Sequence, residues 1–252
     1  MKLPDGTTIA VETWVPTPTS VIDSTSNDAS TPTASATAGP TVYLVHGWGG
    51  WRGQLGAFVN PLIEAGCRVV SFDVPSHGDS SPGMVGAGRA TGIDFSTALT
   101  AVVGEYGHPD GLVAHSMGCA TTTMAIRDGL TATRLVFVAP SPDPIATLDT
   151  LEATLGYGPR TRRFLYERLS RLAARPLGDF NAFTVTSDDD LPPAMIIHDR
   201  DDKEAPYDDG ARLAAIWPET DLVTTEGLGH QRILLDTGVI KLATDYLTTP
   251  LP

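Results

Sequence analysis

Between Gly111 and Ala120 the chain reads Gly-Leu-Val-Ala-His-Ser-Met-Gly-Cys-Ala, a stretch that few backbones accommodate. Leu112, Val113 and Ala114 form a short apolar run bounded by Gly111, the pattern of a buried strand. From Met117 onward, Ala120, Met124 and Ala125 recur at helical spacing. A strand must therefore turn almost directly into a helix at Ser116. Such a corner leaves little room for side chains on its flanks, and Ala114 and Gly118 are both small. It lifts the Ser116 hydroxyl to the top of a sheet and aims the first helical N–H groups, that of Met117 foremost, at whatever lies beside it. The pattern is that of a nucleophile elbow, with Ala114 where glycine is usual. An ordinary strand-to-helix connection fits the same residues, so the rest of the chain has to discriminate.

The flanking sequence supplies more strands of the same kind. Thr41–His46, Cys67–Asp73, Arg134–Pro140 and Ala194–His198 are apolar runs, which suits central parallel strands covered on both faces. Thr220–Thr225 reads as a shorter strand, and Thr7–Trp14, after the turn signal Pro4-Asp5-Gly6, as an edge strand. Helical stretches are expected at about 54–65, 94–106, 208–217 and 232–247. Strands alternating with helices give an α/β fold class, a doubly wound and mostly parallel sheet. With 252 residues, 41% of them hydrophobic, a single domain of this kind has ample core.

Two segments stand apart from the alternation. Pro16–Pro40 is rich in Thr, Ser, Ala and Pro with few large apolar residues, and reads as a flexible surface loop. Residues 141–191 are too many for an ordinary connection and read as a small helical cap inserted in the single domain, with helices near 146–155 and 160–174. Arg160, Arg162, Arg163, Arg168, Arg171 and Arg175 in this cap read as a solvated helix face, with contact to an anionic substrate as the alternative.

A formal net charge of −13 argues against electrostatic binding to nucleic acid or to an anionic membrane, and says little about a neutral substrate. Cys67 and Cys119 fall in a strand and at the start of the elbow helix, where buried thiols are expected rather than a disulfide. No leader-like N-terminus and no membrane-length apolar run is present, which reads as a soluble, cytoplasmic protein. Oligomeric state is not legible. No Walker A or G-x-G-x-x-G sequence occurs, and His198 has no second histidine at ligand spacing, so neither a nucleotide cofactor nor a metal is expected.

Ser116, an aspartate cluster after the 194–198 strand and His230 all fall where strands end, and active sites of such sheets gather at the carboxyl ends of strands. At this point the sequence resembles the α/β-hydrolase superfamily over nearly the whole chain after Thr41. His46-Gly47-Trp48-Gly49-Gly50 resembles its oxyanion loop. Asp73–Ser80 resembles the Asp-x-x-Gly-His-Gly-x-Ser loop, with Ser76 in place of glycine. Ala114–Gly118 matches the elbow. His198–Pro206 resembles His-Gly-x-x-Asp-x-x-Val-Pro, with Asp199 for glycine and Ala205 for valine, and Gly229-His230 matches the late Gly-His.

The resemblance implies a triad of nucleophile Ser116, base His230 and acid Asp202, with Trp48 and Met117 N–H groups as the oxyanion hole. Asp143, Asp199 and Asp201 remain alternative acids. Trp48 and His115 are expected to line the substrate pocket, Trp51 to pack or to wall it, and His77 to be structural. The implied activity is a serine hydrolase of the carboxylesterase kind, cleaving a carboxylic ester or thioester of a small, largely neutral acyl group through an acyl-enzyme. Carbon–carbon bond hydrolysis or acyl transfer on the same triad is the alternative, and a non-catalytic ligand-binding protein the reading from another class.

Overall fold

The computed structural model describes residues 1–3, 5–17, 39–173, 175–185 and 190–250. The expected loop at 16–40 thus falls almost entirely outside the described residues. Seven strands form one sheet: β1 (Val11–Trp14), β2 (Thr41–Val45), β3 (Arg68–Phe72), β4 (Gly111–His115), β5 (Leu135–Val138), β6 (Ala194–Asp199) and β7 (Thr220–Thr225). Their order is β1-β3-β2-β4-β5-β6-β7. All pairs are parallel except the edge pair β1 and β3, which is antiparallel.

The apolar runs are continuous because both faces of the sheet are covered. In β4, Leu112 and Ala114 enter one core and Val113 the other. In β2, Tyr43 and Val45 share the first core, while Val42 and Leu44 join the second. The first core is closed by α2 (Gly92–Tyr106), α3 (Met117–Arg127) and α6 (Tyr207–Ile216), through Phe95, Leu99, Cys119 and Leu213. The second is closed by α1 (Val59–Glu64) and α8 (Thr237–Thr248), through Leu62, Val239 and Leu247. Each large apolar side chain removed from water here contributes roughly 1.5–3 kcal/mol. Both cysteines are buried and free.

Local chemistry sets the helix boundaries. Thr91 and Asp94 form a reciprocal capping box at the start of α2. Two boundaries differ from the sequence expectation. The stretch expected as a helix from 54 begins as a 3₁₀ segment, Arg52–Phe58, with a non-helical Leu55, and only then becomes α1. The expected helix at 232–247 is broken. Its first part is the short α7 (Gly229–Arg232) and a 3₁₀ turn, and Asp236 then leaves helical geometry so that its carboxylate caps Val239 N–H at 2.9 Å. Between β5 and β6 lie α4 (Thr147–Leu155) and α5 (Pro159–Ala173), followed by two 3₁₀ turns. Among the described residues no helix is long and apolar enough to cross a membrane.

The strand order places the candidate site. The chain runs outward from β2 to β3 and then returns to β4 on the other side of β2. The C-terminal ends of β2 and β4 are therefore neighbours at the switch point, where open α/β sheets form their crevice. Val45 pairs with Ala114, which sets Gly47 beside Ser116.

Candidate active site

Ser116 sits at the corner between β4 and α3 with φ 54° and ψ −125°. A left-handed φ on a residue with a side chain costs on the order of 1–3 kcal/mol, and persists only where the surroundings impose it. Here two glycines leave room for the tight corner. A Cβ on Gly118 would stand 2.7 Å from the His46 carbonyl oxygen, and one on Gly47 would stand 2.9 Å from Ser116 Cβ. The oxyanion-type loop and the elbow thus touch through positions that have room only for hydrogen.

Three side chains meet in line. Ser116 Oγ lies 3.0 Å from His230 Nε2, and His230 Nδ1 lies 2.7 Å from Asp202 Oδ2. Asp202 and His230 are buried. Burial alone would raise the Asp202 pKa. Hydrogen bonds from His198, His230 and the N–H groups of Ala205 and Glu204 outweigh it and hold the carboxyl well below the usual carboxylate range. An anionic Asp202 requires the His230 tautomer with hydrogen on Nδ1, which leaves the Nε2 lone pair facing the Ser116 hydroxyl.

The alternative acids have other partners. Asp143 accepts hydrogen bonds from Asn181 Nδ2 at 2.8 Å and from the N–H groups of Ile145 and Ala146. Asp199 accepts from Thr225 Oγ1 at 2.7 Å and Leu228 N–H at 3.0 Å, and Asp201 from Gly227 N–H at 2.9 Å. These last two tie the 225–228 turn, which delivers His230, to the end of β6. His198 is fully buried, with Nε2 3.3 Å from Asp202 Oδ2 and 3.1 Å from Ala205 O.

The loop after β2 is held from several sides. Gly49 N–H donates to His77 Nε2 at 3.2 Å, whose Nδ1–H in turn donates to Pro75 O at 3.1 Å. Gly47 N–H donates to Gln54 Oε1 at 3.2 Å. Asp73, fully buried, binds the Arg52 guanidinium and backbone N–H and the Asp79 N–H, fastening the 73–80 loop under the 3₁₀ segment. His77 is thus a support of the oxyanion-type loop. Among the described residues nothing bonds to the N–H groups of Trp48 and Met117, which leaves both donors open.

Two buried histidines surround this arrangement. His46 donates from Nδ1 to Gly47 O at 2.7 Å and accepts Val74 N–H at Nε2, 3.1 Å away. A second ring proton would face that N–H. Burial, opposed by the hydrogen bond to Gly47, lowers its pKa to about 4. His115 donates from Nε2 to His230 O at 3.1 Å, while its Nδ1 is buried without a partner. Burial and the neighbouring His230 lower its pKa to about 3. His115 is 1% exposed, so the expectation that it contacts substrate gives way to a place behind His230, where its ring centroid is 4.6 Å from that of His230.

A cavity of about 660 Å³ opens beside the elbow. Trp48 and Met117 line it, as does the cap through Leu148, Leu169 and Leu172. Trp51 lies outside it, its ring over Gly53. The wall also includes Met84, Val85 and residues 88–92, to which sequence alone assigns no role. Their long side chains, Met84 and Arg89, were the available signal.

Comparisons with known proteins agree with this architecture. The sequence model described as "Alpha/beta hydrolase family" matches residues 42–240. No curated protein matches the sequence. An esterase from Exiguobacterium antarcticum is 16% identical with a TM-score of 0.65, over 98% of this chain and 97% of its own. An esterase from Thermogutta terrifontis is 16% identical with a TM-score of 0.66, over 97% and 95%. A monoacylglycerol lipase from Paleococcus ferrophilus is 18% identical with a TM-score of 0.63, over 96% and 99%. At such identities the likeness is one of fold.

Proposed function

Because the chain belongs to the alpha/beta hydrolase family, we propose that it is a serine hydrolase that cleaves a carboxylic ester or thioester through Ser116, His230 and Asp202. The observation that carries this reading is the unbroken chain of contacts from Ser116 Oγ to His230 at 3.0 Å and on to Asp202 at 2.7 Å. The esterases and the lipase among the structural neighbours support hydrolysis as the reaction class.

In this reading His230 Nε2 takes the Ser116 proton as Oγ attacks the carbonyl carbon. Asp202 keeps Nδ1 protonated and stabilises the imidazolium that forms. The open N–H groups of Trp48 and Met117 receive the developing oxyanion, and each such donor is worth about a hundredfold or more in rate. His230 then gives its proton to the departing alcohol or thiol, leaving the acyl group on Ser116. Water, deprotonated by the same nitrogen, releases the acid and restores the serine. His115 and His46, with pKa values pushed down to about 3 and about 4 chiefly by burial, are neutral near pH 7, so they add no positive charge beside His230.

Hydrolysis of p-nitrophenyl esters of increasing acyl length tests the proposal. Ser116→Ala is expected to abolish turnover while the far-ultraviolet dichroism is unchanged. Unchanged turnover in Ser116→Ala would refute it. Adding an alcohol to the wild-type reaction separates the hydrolase from an acyltransferase, because a transferase diverts most of the acyl group to the alcohol.

A further inference from the structure

The cavity beside the elbow is apolar over most of its wall, but among the described residues two charged ones line it, Arg89 and Arg168, and no carboxylate does. Arg89 precedes α2 and Arg168 belongs to α5, so the two cations reach the cavity from separate elements. Of the other cap arginines, Arg162 pairs with Asp149 and Glu152, Arg163 with Glu167 and Arg175 with Asp128 and Asp179, while Arg160 and Arg171 do not line the cavity. Arg89 and Arg168 have no ion pair, hydrogen bond or ring contact among the described residues. Both side chains are exposed, which sets the guanidiniums at the open side of the cavity rather than in its depth.

In a chain of net charge −13 carboxylates outnumber cations, yet among the described residues none of those carboxylates lines this cavity. The solvated-helix reading of the cap arginines holds for those that pair with their neighbours. Arg168 differs in lining the mouth of an apolar cavity, where Leu169, Leu172 and Phe180 offer it no counter-charge. A neutral ligand would gain nothing from the two guanidiniums. A carboxylate would find planar donors matched to its own geometry.

We propose that the substrate is an ester bearing a carboxylate at the far end of an apolar chain, the chain filling the cavity and the carboxylate resting between Arg89 and Arg168. This rests on the serine-hydrolase reading for the ester bond and on the cavity wall for the anion. The carboxylate-bearing chain can belong to the acyl side or to the alcohol side of the ester, and the recognition chemistry is the same.

Two pairs of esters distinguish these sources. The mono-p-nitrophenyl ester of octanedioic acid is compared with p-nitrophenyl octanoate, and the acetyl ester of 8-hydroxyoctanoate with octyl acetate. The charged member of at least one pair is expected to show a kcat/KM about tenfold or more above its neutral partner. That ratio should fall about tenfold in Arg168→Gln and in Arg89→Gln, mostly through KM, and be only partly restored by Arg168→Lys, which keeps the charge without the planar fork. High salt should compress it as well. Equal or lower kcat/KM for both charged esters, or a ratio untouched by either arginine variant, would overturn the proposal.

Calorimetric binding of octanedioate and 1,8-octanediol to the Ser116→Ala protein gives a readout that needs no turnover. Tighter binding of the dianion, lost in the arginine variants, with no hydrolysis of any ester by wild type, would sink the hydrolase reading and leave the anion site standing. Ser116-dependent hydrolysis with no preference for the dianion would do the reverse.

Discussion

The burial of His46 and His115 makes this protein sensitive to mild acid. In the unfolded chain a histidine titrates near 6.5. In the folded protein the two rings titrate at about 4 and about 3, since each has a single proton site in use and no acceptor for a second proton. Between those values the unfolded chain binds protons that the folded protein refuses, so stability falls as pH falls. At pH 5 each histidine is about 1.5 pH units below its unfolded value and still above its folded one. With about 1.4 kcal/mol per unit, each contributes a loss of about 2 kcal/mol relative to pH 8, and together about 4 kcal/mol. That is a large share of the roughly 5–15 kcal/mol that holds a typical domain together. The depressed pKa of Asp202 acts with the opposite origin, below the ordinary carboxylate range, and leaves this window untouched. Urea unfolding at pH 8 and pH 5 reads the effect directly. Wild type should lose about 4 kcal/mol, and His115→Gln or His46→Gln about 2 kcal/mol. The difference between wild type and variant cancels every other titration. A wild-type change below about 1 kcal/mol, or a slope that neither variant alters, would refute the reasoning.

Other outcomes follow from the site. Asp202→Asn should reduce kcat by about 10⁴ by removing the anion that fixes the His230 tautomer, whereas Asp143→Asn, whose parent carboxylate serves Asn181 and a local turn, should leave kcat within about threefold. Gly47→Ala should lower kcat by about tenfold or more with KM little changed, because the new methyl would press on Ser116 Cβ and push the loop that carries the Trp48 N–H; steady-state kinetics on one ester decides it. Asp199→Ala should slow turnover about tenfold and steepen its temperature dependence by loosening the 225–228 turn, while leaving the Asp202–His230 pair itself chemically intact. Unchanged kinetics would show that this turn needs no tether.

The strands and the corner at Ser116 were legible because burial on both sheet faces writes continuous apolar runs, as in Thr41–Val45 and Gly111–His115. The cap helices were legible too, near their observed limits, since glycines and prolines bound them. What local pattern could not show depends on distant contacts. Asp236 carries no mark that distinguishes a cap from a helical aspartate until Val239 N–H meets it. His115 sits next to Ser116 in sequence, yet strand alternation turns its ring away from the cavity and under His230. The bond from Gly49 to His77 joins residues 28 apart, and no spacing rule foretells it. The division among the aspartates that follow β6 emerges only when the 225–228 turn folds back onto them.

The central claim is that Ser116 is a nucleophile activated by His230. Intact-protein and peptide mass spectrometry after exposure to a fluorophosphonate tests it without any assumption about substrate. The account predicts one stoichiometric phosphonyl adduct on the peptide that contains Ser116, absent in Ser116→Ala and formed at least a hundredfold more slowly in His230→Ala. A folded wild-type protein that takes no adduct, or takes it on another residue, would contradict it.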